Sequence, residues 1–278
     1  MTPSLSKMDY LVADRGNRLQ RQLDKLPGIE SVSAHQWHWM VNDFDVDVIV
    51  EPGAAMQIRL DVAELPPPAE SLHANRNLPG NLRYATCERR SLLLADTQLD
   101  GDSHLLRTFS ELKAGLLLTL GHELMPEASG SLTADEVRTA IAACRWPEGS
   151  IVHLDGAWEF RPRLRGDVTP VRAVIDRGEL RVYRTVVADH GKGLRRDAVC
   201  AQALRFNRQV RHARLSVVDG AVVAESRLHG EQLTPAWLET AAWAVAVACR
   251  HTEAVLNILA ENDDVAHDYV ALLLRGKQ

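Results

Sequence analysis

The sequence predicts an α+β protein of two tandem units, each with an antiparallel sheet of about five strands packed against about two to three helices. Three observations lead to this prediction. Residues 204–249 have the pattern of a helix end, a hairpin and a long apolar helix. The same order of periodicities, α-βββ-α-ββ-α, occurs twice along the 278 residues. That length also suits two domains of ordinary size.

The hairpin within 204–249 rests on strict alternation. Ala213, Leu215 and Val217 share one face of the first strand, and polar residues occupy the other face. Asp219-Gly220 favours the positive φ angles that a tight two-residue turn requires. We therefore expect two antiparallel strands here, with the turn at these two residues.

A long helix follows the hairpin. Thr234 is a suitable N-cap, and Pro235 suits the first helical turn because no N–H donor is needed there. Residues 241–249 are nearly all apolar, so we expect this helix to be buried on most of its circumference. Of its two tryptophans, we expect Trp243 to lie in the core and Trp237 to be partly exposed.

The first unit begins with a predicted helix over 8–26, which is followed by strands. The strands alternate at 35–41, 46–50 and 56–60, a further pair spans 82–99, and a helix opens at 103 or 104 and ends near 120. In the first strand Trp37 and Trp39 share a face opposite His38. Pro66-Pro67-Pro68 and Pro79-Gly80 leave the middle helix of this unit degenerate.

The second unit repeats that order. Helices are predicted over 132–144 and 195–209, strands over 158–163, 171–175 and 180–187, and a helical tail over 261–278, which we expect to dock rather than form a free arm. Leu82–Leu116 aligns with Val210–Val245 with one extra residue in the turn. We infer a duplication with units 1–127 and 128–278, the boundary lying in the polar segment Met125–Gly130.

Composition limits the possible partners. The net charge of -5 and the absence of a basic tail argue against nucleic acid as the main partner. An arginine-rich run is the one exception, and its alternate spacing favours the solvated face of strands over an anion or nucleic-acid site. Its members are Arg161, Arg163, Arg165, Arg172, Arg181 and Arg184.

The cellular setting follows from what the sequence lacks. No window has the roughly 18–20 apolar residues of a membrane span. The first residues lack the basic start and apolar core of a secretory signal, so we expect a cytoplasmic protein. The four cysteines form no CxxC pair, which favours reduced thiols over a disulfide or metal framework.

Two histidine motifs were considered as metal sites. His122-Glu123 begins like the helix of a zinc protease, but the second histidine four residues on is missing and Pro126 interrupts the helix. His35 and His38 lie on opposite faces of a strand and cannot readily share an ion. Structural roles are favoured for both motifs.

Two further motifs resemble ion or phosphate loops. Asp43, Asp45 and Asp47 have the spacing of a calcium loop without its glycine and final glutamate. His190-Gly191-Lys192-Gly193 precedes a helix but lacks the full phosphate-loop spacing. The sequence therefore assigns no catalytic, cofactor-binding or metal residues, and we expect no cofactor.

The block 204–249 resembles the bacterial type III secretion chaperone superfamily, the Tir-chaperone-like fold, and its relatives, the sensory-transduction regulators. The residues that carry the likeness are the helix end 204–208, the hairpin at Asp219-Gly220, and the step Leu233-Thr234-Pro235. The resemblance implies an α+β unit whose outer surface binds an extended segment of a client protein. Members form homodimers of single domains, so a tandem chain would be an intramolecular pseudo-dimer and compatible with a monomer.

The expected function is therefore non-enzymatic binding of a client polypeptide by a secretion-chaperone-like or adaptor protein. Two alternatives remain open at this point. One is an enzyme of unrecognised type with its site between the units, and the other is a regulatory interaction module. Titratable side chains that converge in a deep pocket would favour the enzyme over an apolar groove or an open sheet edge.

Overall fold

The computed structural model describes residues 23, 28–33, 36–41, 44–51, 56–62, 65–87, 90–97, 102–119, 131–147, 149–164 and 166–275. The protein is α+β, with antiparallel sheets and separate helices, as the sequence predicts. Two compact units divide the chain, Met1–Glu64 with Arg90–Leu124, and Leu65–Arg89 with Met125–Gln278. The limits predicted for the tandem units, 1–127 and 128–278, stay a prediction, and their boundary segment lies outside the described residues.

The first unit contains five strands and a helix within the described residues. They are β1 (Ile29–Ser33), β2 (Gln36–Val41), β3 (Phe44–Glu51), β4 (Met56–Val62), β6 (Arg90–Thr97) and α2 (Asp102–Thr119). The strands are antiparallel neighbours in the order β1-β2-β3-β4-β6. The predicted helix over 8–26 lies outside the described residues except for Leu23, which is helical and buried.

The core of the first unit lies between this sheet and α2. Trp37 and Trp39 are buried on one face of β2 and His38 is exposed on the other, as the alternation predicts. The Trp39 ring contacts Phe109 of α2 edge-on, with ring centroids 5.0 Å apart. Because β-strand side chains alternate faces and α2 supplies an apolar stripe, one layer of helix covers one face of the sheet.

The second unit holds the other elements. In chain order they are α1 (Pro68–Ala74), β5 (Arg83–Cys87), α3 (Ala134–Ala142), β7 (Ile151–Leu154), β8 (Ala157–Phe160), β9 (Arg163–Leu164), β10 (Asp167–Val168), β11 (Val171–Asp176), β12 (Glu179–Val187), α4 (Leu194–Asn207), β13 (Arg214–Val218), β14 (Ala221–Leu228), α5 (Pro235–Glu261) and α6 (Asp263–Arg275). Its main sheet is antiparallel, in the order β7-β8-β11-β12-β14-β13. The helix α5 packs against β12 and β14.

Local signals in the second unit were predicted correctly. Asp219 and Gly220 have φ angles of 51° and 82°, so both occupy the left-handed region at the hairpin turn. The Thr234 hydroxyl accepts a hydrogen bond from the Trp237 amide at 3.3 Å, and Pro235 begins α5. The tail is a docked helix, because Tyr269 of α6 donates to Gln202 of α4 at 2.5 Å.

The second sheet has six strands rather than about five. The additional strand is β7, which pairs Ile151 with Phe160 and Leu154 with Ala157. It escaped prediction because four residues are too few for alternation to show, and because Asp155-Gly156 follows at once. In the first unit the five-residue strand β1 was also missed.

The burial predicted for the two tryptophans of α5 is wrong. Trp237 is 8% exposed and its ring meets His212 edge-on, whereas Trp243 is 40% exposed. The expectation that α5 is buried nearly all round also needs correction, because Val247 is half exposed. Trp237, Trp243 and Val247 are all apolar, so composition alone did not indicate which side of the helix faces the sheet. None of the described helices is both long and apolar enough to cross a membrane.

Candidate functional site

Two asparagines that follow helices in the second unit hold equivalent positions. Asn75 follows α1, and its side-chain oxygen accepts a hydrogen bond from the Tyr84 amide at 2.6 Å. Asn207 ends α4, and its oxygen accepts from the Leu215 amide at 2.7 Å. In each case the asparagine connects the end of a helix to the second residue of the following strand, β5 or β13.

The side-chain nitrogens of these asparagines connect the two motifs reciprocally. Asn75 Nδ2 donates to the Leu215 carbonyl at 3.1 Å, and Asn207 Nδ2 donates to the Tyr84 carbonyl at 3.0 Å. Both asparagines are fully buried. Buried polar groups contribute to stability only when they are hydrogen-bonded, and here each amide satisfies backbone groups of both motifs.

Two buried arginines repeat this reciprocity. Arg83, the first residue of β5, donates to the carbonyls of Asn207 and Val210 at 2.6 and 2.8 Å. Arg214, the first residue of β13, donates to the carbonyls of Leu78 and Leu82 at 2.8 and 3.0 Å. Each guanidinium therefore satisfies carbonyls in the loop that follows the opposite helix.

We expect Asn207→Ala to lower the free energy of unfolding by about 2–3 kcal/mol, because it leaves the buried Leu215 amide without its acceptor and removes one of two donors from the Tyr84 and Leu215 carbonyls. Asn75→Ala is expected to cost a similar amount. Because each carbonyl keeps one asparagine donor in a single variant and loses both in the double variant, the double variant should cost more than the sum of the two single variants. Denaturant unfolding of the four proteins measures this coupling, and strict additivity would contradict a shared network.

Arg214 also contacts a buried carboxylate of the same unit. Glu225 of β14 accepts from Arg214 Nε at 2.9 Å and from Ser216 Oγ at 3.2 Å. Its other oxygen accepts from Arg181 Nε at 2.5 Å. Burial alone would raise the pKa of Glu225, but the charges of Arg214, then Arg181, outweigh it and lower the pKa to about 2. Glu225 is thus an ionised carboxylate in a fully buried site.

The burial of Arg181 corrects the prediction that the arginine run is a solvated face. Arg161, Arg163 and Arg172 are exposed, but Arg181 is buried beside Glu225 and stacks on Tyr183, with its Cζ atom 4.7 Å from the ring centroid. Arg184 is half-buried and lies on the opposite face of the same strand, three residues after Arg181, so the run does not share one face either. The alternate spacing could not show this. It gave no information about Glu225, which lies 44 residues away from Arg181 in sequence.

A second charged group lies beside Arg181. Arg227 is paired with Arg181 across the two central strands, and its Nη1 donates to Glu179 at 3.3 Å. His229 Nδ1 lies 2.8 Å from the other oxygen of Glu179. Burial opposes ionisation of Glu179, but the hydrogen bond and charge of His229, together with Arg227, lower its pKa below the usual range.

An exposed apolar arc on α5 is the third feature of this unit. Trp243, Val247, Val255 and Ile258 are exposed large apolar residues. Their spacing places them on one side of the helix over about 22 Å, with the exposed polar residues Arg250 and His251 between Val247 and Val255. The Trp243 ring lies 6.1 Å from Trp146, centroid to centroid, so aromatic surface extends one end of the arc. We call these four residues the α5 arc.

The cysteines of the chain are free thiols. Burial raises the pKa of Cys144 to about 11 and the pKa values of Cys200 and Cys249 to about 12. A thiol with a raised pKa holds little of the reactive thiolate near neutral pH. These three side chains therefore have the character of packing residues.

The motifs weighed as ligand sites are dispersed or lie outside the described residues. His38 is exposed on β2, and the loop before α4 is held by a hydrogen bond from the Gly191 amide to Asp189 at 2.9 Å. His35, Asp43 and His122-Glu123 lie outside the described residues, as do the side chains of Asp45 and Asp47. Where the structure describes the chain, no three His, Cys, Asp or Glu side chains are grouped to hold a metal ion.

The sequence did contain a signal for the reciprocal network. A constant offset of 131 residues relates the first residues of corresponding strands: Arg83 of β5 to Arg214 of β13, and Arg90 of β6 to Ala221 of β14. The alignment by hydrophobic pattern related Leu82 to Val210 instead, three residues away from that offset. With the structural offset, arginine aligns with arginine.

Compared with known proteins, the chain matches no family model and no curated protein.

Proposed function

We propose that the chain is a tandem, secretion-chaperone-like adaptor of the bacterial cytoplasm that binds a segment of a client polypeptide without catalytic chemistry. The observation that carries the proposal is the α5 arc, an apolar surface on a helix that is otherwise anchored in the core. Large exposed apolar surface of this kind is typical of sites for protein partners. If the fold is duplicated, the former homodimer interface lies within one chain, and the α5 arc remains exposed for another partner.

The duplication is supported by strand lengths and register. β5 and β13 each have five residues, and β6 and β14 each have eight. Met56 of β4 pairs with Thr97, the last residue of β6, and Leu180 of β12 pairs with Leu228, the last residue of β14. Equal strand lengths and matching paired ends are expected of two copies of one unit, although β12 is longer than β4 and carries a bulge between Thr185 and Val187.

The pseudo-dimer is supported by the reciprocal bonds of Asn75 with Asn207 and of Arg83 with Arg214. In a two-fold symmetric interface, residue i of one subunit contacts residue j of the other, and j contacts i in return. The motifs 68–87 and 194–218 follow that pattern within one chain. We infer that they derive from the interface of a homodimer, which leaves α5 available for a different partner.

The client on this proposal places apolar side chains on the α5 arc. Apolar anchors three or four residues apart on an amphipathic helix would match the spacing of the arc. Burial of the four exposed side chains would supply the hydrophobic part of the affinity, and the aromatic cluster of Trp146 and Trp243 would provide a rigid anchor.

The test is a paired substitution on the arc. We expect Val247→Asp with Ile258→Asp to reduce client binding by at least about tenfold, because charges would be buried at the interface. Both side chains are at least half exposed, so the melting temperature should change little. Leu194→Asp is the matched control, because Leu194 is also about half exposed but lies at the start of α4.

The measurement uses the full chain as bait and quantifies the polypeptides that co-purify. A polypeptide retained in stoichiometric amount by the wild type and the control, and lost from the arc variant, supports the proposal. Retention that is equal on all three proteins contradicts the role of the arc. If nothing is retained while a metabolite raises the melting temperature, client binding is the wrong function.

A further inference from the structure

A cavity of about 270 Å³ lies at the edge of the second sheet that β7 forms. It is bounded by the residue before β7, the end of β8 and the short hairpin of β9 and β10. Its volume suits a ligand smaller than a drug-sized molecule. The side chains that line it are those of Ser150, Glu159, Arg161, Arg163, Val168 and Pro170.

The lining carries one positive charge that no acid in the described part of the chain neutralises. Glu159 accepts from Arg161 Nε at 2.8 Å, so these two charges compensate each other. Asp167 of β10 lies 2.7 Å from Arg250 of α5, which does not line the cavity. The Arg163 side chain makes no hydrogen bond or ion pair with any residue that the structure describes. The cavity is therefore left with the charge of Arg163.

The hairpin that carries Arg163 is held in place on both sides of this residue. The Thr169 amide donates to the Pro162 carbonyl, directly before β9, at 2.9 Å. Arg250 donates to the Leu164 carbonyl at the end of β9 at 3.3 Å. Because these contacts fix the backbone, binding of a ligand at Arg163 requires little further ordering of the chain.

A hydroxyl and an apolar wall complete the cavity. The Ser150 hydroxyl has no hydrogen-bond partner among the described residues, so it is free to donate to a ligand oxygen. Val168 is 46% exposed, and Val168 and Pro170 together supply apolar surface. The cavity thus combines a free cation, a free hydroxyl donor and a hydrocarbon surface.

We propose that this cavity binds a small organic monocarboxylate, whose carboxylate is held by Arg163 and Ser150. Its hydrocarbon chain lies against Val168 and Pro170. A guanidinium donates two parallel hydrogen bonds to a carboxylate, and the donors of Arg163 are free for that contact. Glu159 in the lining opposes a second negative charge, which disfavours phosphate and other polyanions. This small-molecule site does not depend on client binding by the α5 arc.

The test is an NMR titration of the full chain with valerate, followed through the methyl signals of Val168 at constant ionic strength. We expect saturable shifts with a dissociation constant on the order of 1 mM, and no saturation with the uncharged valeramide. Arg163→Gln should raise the dissociation constant at least about tenfold, because a charge-assisted bidentate contact is lost. Arg163 is exposed, so this variant should keep the wild-type melting temperature.

Arg172→Gln is the matched control, because Arg172 is an exposed arginine on the same sheet face as Glu159 but does not line the cavity. Absence of saturation with valerate, or an equal loss of affinity in the two variants, would overturn the site. Tighter binding of inorganic phosphate than of valerate would overturn its assignment to a monocarboxylate. Tighter binding of N-acetyl-alanyl-valine would overturn the assignment to a free acid in favour of the C-terminus of a polypeptide.

Discussion

Glu225→Gln is expected to lower the free energy of unfolding by about 3–5 kcal/mol, because it removes the carboxylate that two buried arginines share. Arg214 is fully buried and Arg181 nearly so, and both donate their Nε–H to Glu225. Glutamine preserves the size of the side chain but not its charge. Two guanidiniums would then remain buried with no anion between them, which is the costly case for a broken buried ion pair.

Chemical denaturation of the full chain measures this effect, and Glu159→Gln is the matched control. Glu159 also accepts from an arginine on the same face, but its partner Arg161 is substantially exposed. Partly exposed pairs contribute under about 1 kcal/mol, so the control should be near wild type. Similar losses in the two variants would contradict the special role of the buried cluster.

The same carboxylate makes stability depend on pH. The pKa of Glu225 is lowered from an ordinary value of 4.5 to about 2 in the folded protein. A lowered pKa means that the unfolded chain takes up the proton first, so this stabilisation is present above about pH 4.5 and is lost as the pH falls towards 2. The Glu225→Gln variant should lose this part of the acid dependence, which unfolding curves between these two pH values would measure.

Trp237→Ala is expected to lower the free energy of unfolding by about 3–5 kcal/mol, through lost burial and the cavity left behind. Trp237 is 8% exposed in the first turn of α5 and packs edge-on against His212 at 5.7 Å between ring centroids. Substitution to alanine removes an entire ring system from this contact. Neighbouring backbone in an anchored helix cannot move far enough to fill the space.

Trp243→Ala on the same helix is the matched control. At 40% exposure it buries less surface than Trp237, so the expected cost is smaller, about 1–2 kcal/mol. The comparison of the two melting temperatures tests the burial order directly. A larger loss for Trp243 than for Trp237 would mean that α5 is rotated relative to its position in the structure.

The parts of the fold that were predictable depend on interactions between near neighbours in sequence. The turn at Asp219-Gly220 and the start of α5 at Thr234 each need a particular backbone angle or cap. A few adjacent residues supply those requirements. The alternation of Trp37 and Trp39 was likewise sufficient to identify the buried face of β2, because strand side chains alternate regardless of partner.

Most of the candidate site could not be predicted from the polar and apolar periodicity, because its contacts join residues far apart in sequence. Asn75 reaches the Leu215 carbonyl across 140 residues, and Arg214 reaches the Leu78 carbonyl across 136. Alternate polar residues on a strand predict a solvent-exposed face, and Arg172 is exposed as that pattern predicts. Arg181 on the next strand is not exposed, because Glu225 compensates its charge in the interior.

The α+β class, the hairpin at Asp219-Gly220 and the start of α5 at Pro235 were predictable, because dihedral and capping preferences depend on adjacent residues. The burial of Trp237 and Arg181 and the exposure of Trp243 depend on tertiary packing. Packing against the strands determines which side of an apolar helix faces the sheet, and a buried charge is stable only beside an opposite charge. In this protein the strands and the opposite charge both lie far away in sequence, so adjacent residues do not indicate them.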